Sequence, residues 1–94
     1  MNIYFLNYDI KLQNVFSIKD KRSLRLRFFN DLKKKFNISI LESNYRNNLD
    51  ILSFSICFLS PDSSLGDNYF ESIDKFISLR FFDGCIINVH KEII

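Results

Sequence analysis

Polar and apolar residues alternate from Asn2 to Gln13: Tyr4, Leu6, Tyr8, Ile10 and Leu12 interleave with Asn7, Asp9, Lys11 and Gln13. Such a period of two predicts a half-buried strand. Ile3 and Phe5 break the alternation at its start, so the outer face there is expected to be covered by another strand or a partner chain. The period then lengthens. Leu24, Phe28, Leu32 and Phe36 recur every fourth residue, with Ile18 and Phe29 beside them, which predicts a helix over Ile18–Phe36 with this stripe toward the core. Ser17 stands at its N-cap and Asp20 at the capping-box position three residues later.

Two further strands are expected over Asn37–Tyr45 and Leu52–Leu59, joined by the polar run Arg46-Asn47-Asn48. In the later strand Leu52, Phe54, Ile56 and Phe58 alternate with Ser53, Ser55 and Cys57, so one face is apolar and the other small and polar. Ser60-Pro61-Asp62 opens a second helix over Ser63–Arg80, with Leu65, Tyr69, Ile73, Phe76 and Ile77 as its apolar stripe. Gly66 inside it costs about 1 kcal/mol relative to Ala, which weakens the first turn. Asp83-Gly84 signals a turn before a last strand from Cys85 to Val89, continuing toward Ile93. The order β-α-β-β-α-β is met most compactly by an α+β, ferredoxin-like plan: a four-stranded antiparallel sheet with both helices on one face.

Composition agrees with one folded unit across residues 1–94. Apolar residues make up 47% and charged residues 26%, within the range of ordinary globular chains and outside that of disordered ones. No apolar run approaches a membrane span, and the start lacks the pattern of a signal peptide, so a cytoplasmic protein is expected, with no membrane partner. Cys57 and Cys85 have no neighbouring metal ligands in sequence. In the expected sheet they lie two strand spacings apart, about 10 Å, beyond disulfide reach, so both are expected to be free thiols. No phosphate loop, HExxH or GxSxG motif is present. Neither a cofactor nor a metal is expected. His90, the single histidine, has no evident nucleophile or carboxylate to orient it, and Cys57 has no cation or helix end to activate it, so an enzyme is not expected.

Charge is segregated although the total hides it. The net charge is +2, yet residues 17–36 carry eight cations against Asp20 and Asp31. The second helix carries Asp62, Asp67, Glu71 and Asp74 against Lys75 and Arg80. Mutual neutralisation of the two helices would explain both, and Lys33, Lys34 and Lys35 complement the negative end of their own helix. Lys19, Lys21 and Arg22 are less easily explained, because cations in a helix's first turn oppose its dipole by about 0.3–1 kcal/mol each. An anion docked there would remove the penalty.

The stretch Ser17-Ile18-Lys19-Asp20-Lys21-Arg22, followed by a basic helix and by Phe36-Asn37-Ile38-Ser39-Ile40, resembles the YlxP-like family of small bacterial proteins, a domain of unknown function. Phe16 stands where that family usually has His, and Leu49 where it often has Trp. The resemblance implies a ferredoxin-like fold and a gene often found among translation genes, near those for initiation factor two and ribosome-binding factor A.

These observations lead to one expected function and one rival. The expected function is a non-enzymatic binding module associated with ribosomal RNA or ribosomal particles during translation or ribosome assembly, through Lys19, Lys21, Arg22 and Arg25. Contact through the phosphate backbone is expected, since Ser53, Ser55 and Cys57 offer no bases an aromatic stacking platform. The rival is a homo-oligomeric interaction module with no nucleic-acid contact, in which Ile3, Phe5, Leu41 and Leu59 pack against a second subunit.

Overall fold

The computed structural model describes residues 1–81 and 85–94; the turn expected at Asp83-Gly84 lies outside them. Strands β1 (Asn2–Lys11), β2 (Ser39–Glu42), β3 (Ile51–Ser60) and β4 (Ile86–Ile93) and helices α1 (Ile18–Lys35) and α2 (Ser63–Arg80) follow in the order β1-α1-β2-β3-α2-β4. The strands form one antiparallel sheet in the order β2-β3-β1-β4, the ferredoxin-like α+β arrangement. Neither helix, among the described residues, is long and apolar enough to cross a membrane.

The alternation along β1 and β3 sorts the sheet into two faces. Tyr4, Leu6, Tyr8 and Ile10 pair across the strands with Phe58, Ile56, Phe54 and Leu52, and all eight are buried beneath the helices. Tyr4 stacks on Phe58 and Tyr8 on Phe54, so two aromatic layers run through the centre of the core. Ile3, Phe5, Cys57 and Leu59 fall on the opposite, open face. Both cysteines are free thiols.

One strand and the core stripes of both helices differ from the sequence reading. The strand expected over residues 37–45 is limited to Ser39–Glu42, because Tyr45 takes a left-handed backbone (φ 59°) that ends the pleat. Ile18 is exposed, so the core stripe of α1 begins with half-buried Leu24 and continues through Phe28, Phe29 and Leu32. Leu65 is likewise exposed, and Gly66 takes the core-facing place before Ile73 and Ile77. Ser17 caps α1 by accepting a hydrogen bond from the Asp20 backbone N–H (3.0 Å), and Asp62 caps α2 by accepting one from Leu65 N–H (2.8 Å).

Gly66 has a reason that periodicity does not reveal. A methyl group there would overlap Cε1 and Cζ of Tyr4, so the missing Cβ lets α2 settle directly onto the tyrosine ring. The same ring pins the helix through its hydroxyl, which lies 2.8 Å from Asp67 Oδ1 and 2.9 Å from the Ser63 carbonyl oxygen. Two turns further on, Tyr8 donates to Asp74 Oδ1 (2.7 Å). Two acids of α2 are thereby spent on buried phenols of β1.

Burial and the adjacent carboxylate push the Tyr4 hydroxyl up from 10.0 to about 12, and Tyr8 moves in the same direction for the same reasons, with Asp74 as the neighbour. The folded chain therefore holds these protons more tightly than the unfolded one. The Tyr4 contribution is complete below about pH 10 and is lost as pH rises through about 12, and that of Tyr8 is lost at still higher pH. Urea midpoints measured across that interval should fall, and Tyr4→Phe should flatten the Tyr4 share of the slope. Gly66→Ala should destabilise by about 1–3 kcal/mol through overpacking, despite alanine's better helix propensity. In a Tyr4→Leu background the same substitution should become neutral or stabilising, as chemical denaturation of the four variants would reveal.

Candidate phosphate-binding face of the first helix

The four cations at the start of α1 do not form one exposed cluster. Lys21 lies on the same helical stripe as Phe28 and Leu32, seven and eleven residues later, and is only 2% exposed. Its ammonium donates to the carbonyl oxygens of Tyr45 (2.6 Å) and Asn48 (2.8 Å), with that of Arg46 at 3.4 Å. Glu42 Oε2 lies 3.5 Å away. Arg25, one turn on, donates through Nη1 to Glu42 Oε1 at 2.6 Å. Lys21 thus serves as an internal strut between α1 and the β2–β3 connection, while Arg25 is partly exposed and shares the same carboxylate.

Lys19 and Arg22 are exposed. So are Arg27, Lys33 and Lys34, and the spacing 19, 22, 26, 30, 33, with 27 and 34 adjoining, places these five cations on the outward side of one helix. From Lys19 to Lys34 that side runs roughly 22 Å at 1.5 Å per residue. None of the five is within ion-pair distance of a carboxylate among the described residues. The sequence reading singled out Lys19 and Arg22 here but left Arg27 aside and assigned Lys33 and Lys34 to the dipole alone.

The acidic second helix does not quench this face. Asp67 and Asp74 are turned to Tyr4 and Tyr8, and Asp62 to the cap of its own helix. Among the described residues, the ion pair joining the two helices is Arg80 Nη1 with Asp31 Oδ2 at 2.7 Å, in which α1 supplies the acid and α2 the base. This contact removes a carboxylate from α1 and leaves its cations unbalanced.

Clefts flank the basic side. Arg22, Arg25 and Arg46 line one of about 160 Å³, with Glu42 and Lys21 in its wall. Glu42 Oε2 is buried there without a hydrogen-bond donor of suitable geometry. On the other flank Arg27, Lys11 and Arg80 line a cleft of about 290 Å³ with Leu24 and Phe28. Guanidinium groups across such openings suit the non-bridging oxygens of a phosphate.

The groups weighed for catalysis lie elsewhere. Cys57 is half-buried on the open sheet face, opposite Phe5 and Ser39. His90 stands opposite Asn7 on the edge strand, with Nε2 3.3 Å from Glu92 Oε1 on its own chain. The polar half of the open face is bonded to itself: Ser55 donates to Asn7, and Ser43 and Ser53 share a hydroxyl hydrogen bond of 3.0 Å.

Fold and surface together define a small α+β domain with a basic outer helix. The chain belongs to a family described as a protein of unknown function, DUF503, whose profile matches residues 3–90. No curated protein matches the chain.

Lys21 and Arg22 are adjacent in sequence and opposite in role, so substitution separates structure from surface. Lys21→Met leaves Glu42 with one cation, takes the ammonium from the Asn48 carbonyl and leaves the Tyr45 carbonyl with the Asn48 backbone N–H (3.0 Å) in its place, and should cost about 3–5 kcal/mol. Arg22→Ala should stay within about 0.5 kcal/mol of the parent. Urea unfolding of the two variants measures the contrast.

Proposed function

We propose that this protein is a non-enzymatic binding module that engages the phosphate backbone of RNA, ribosomal RNA in particular, through the outward side of α1. The observation that carries the reading is the run of exposed cations from Lys19 and Arg22 through Arg27 to Lys33 and Lys34, without carboxylate partners among the described residues. Arg25 adds donors from the rim of the cleft it shares with Arg22 and Arg46. Lys21 contributes by holding the β2–β3 connection, and with it Arg46, beside the helix. The likeness of residues 17–22 to the YlxP-like signature, whose genes lie among translation genes, supports a ribosomal partner.

Backbone recognition by such a surface is sequence-tolerant, because phosphate contacts position a protein without reading bases. Phe5 on the open face is flanked by Cys57 and Glu92, a poor platform for stacked bases. Affinity then comes chiefly from released counterions and declines steeply with salt.

Cosedimentation of the protein with ribosomal particles across a salt series tests this. Binding at low salt that declines linearly on logarithmic axes is expected, and the double reversal K19E/R22E should lower the slope by about 2 while leaving thermal stability unchanged. Absence from the particles at low salt, or binding indifferent to K19E/R22E, overturns the reading.

A further inference from the structure

Beyond the basic helix, the sheet carries an unsatisfied feature at its far side. β4 is an edge strand of eight residues, whereas the opposite edge, β2, has four. Ile3 and Ile94 exchange both backbone hydrogen bonds, at 2.9 and 2.8 Å. In an antiparallel ladder such pairs alternate, so Glu92, His90 and Asn88 also turn their backbone groups toward β1. The N–H and C=O groups of Ile93, Lys91 and Val89 therefore face outward, where no described strand meets them.

The side chains of this edge are also incompletely covered. Both helices lie over the other strands, and Val89 and Ile93 on the helix side remain 39% and 45% exposed. His90 and Glu92 project from the open face of the same strand.

We propose that β4 pairs with β4 of a second copy of this chain, antiparallel about a twofold axis at Lys91. This register joins the outward backbone groups of Val89 and Ile93 reciprocally and those of Lys91 to its counterpart. It sets Val89 opposite Ile93 on the helix side, covering both. On the open face it sets His90 opposite Glu92 at the non-hydrogen-bonded sites, where cross-strand side chains are closest. Two lysines meeting at the axis would repel, but each ammonium is drawn back onto its own second helix, 3.6 Å from Asp67 Oδ1 and 5.0 Å from the centre of the Phe70 ring. Charge complementarity and backbone valence thus select a second copy over an unrelated strand.

The test combines sedimentation with amide hydrogen exchange at micromolar and near-millimolar chain concentrations. A monomer–dimer equilibrium is expected, with the amides of Val89, Lys91 and Ile93 becoming protected as dimer forms, while those of His90 and Glu92 are protected throughout. His90→Glu, which opposes two carboxylates, should weaken the dimer about tenfold, and His90→Lys should strengthen it; both sites are exposed, so folding is unaffected. A monomer at every concentration overturns the proposal, as does a dimer in which the three outward amides stay unprotected or the two His90 variants behave alike. K19E/R22E should leave this equilibrium unchanged, so the RNA reading and the pairing fail separately.

Discussion

The buried ammonium of Lys21 ties the start of α1 to the β2–β3 connection. A lysine head group taken out of water is costly unless its donors find oxygens, and here the Tyr45, Arg46 and Asn48 carbonyls supply them while the Glu42 carboxylate stands beside as counter-charge. The arrangement works in both directions. α1 is fixed at its first turn, and a connection containing Tyr45 in a left-handed backbone is tied down through that residue's own carbonyl. Arg25 completes the site from the next turn and meets the other oxygen of Glu42. The basic side of α1 is set by this joint together with the core contacts of Phe28, Phe29 and Leu32.

A second constraint explains why the positive side persists. Folded chains commonly let oppositely charged helices quench one another, and the acids of α2 are numerous enough to do so. Asp67 and Asp74 are placed instead over β1, where two phenols need acceptors in the core. A buried hydroxyl without a partner costs more than a surface ion pair returns, so the tyrosines win the carboxylates. The charge imbalance of the surface is thus a by-product of how the aromatic layers are satisfied.

Much of the architecture was legible from spacing alone. The period-two runs around Tyr8 and Phe54 and the four-residue recurrence of Phe28 and Leu32 identify elements whose burial depends on little beyond side-chain direction. The candidate site was legible in part. Lys19 and Lys21 carry the same charge, and what separates them is helical phase: Lys21 shares the stripe of Phe28 and Leu32, a signal present in the sequence. The length of β2 and the role of Gly66 were not legible, because one depends on a backbone dihedral at Tyr45 and the other on the contact between Gly66 and a ring sixty-two positions earlier. Long-range geometry of that kind leaves no local periodicity.

The two margins of the sheet are unequal, and this sets how far it could extend. A sheet with two long bare sides can recruit copies without end and grow into a fibre. Here the side formed by β2 is short and its outward turn is occupied by the Lys21 joint. Among the described residues the long margin is β4, so the pairing proposed there would use it up and end at two copies.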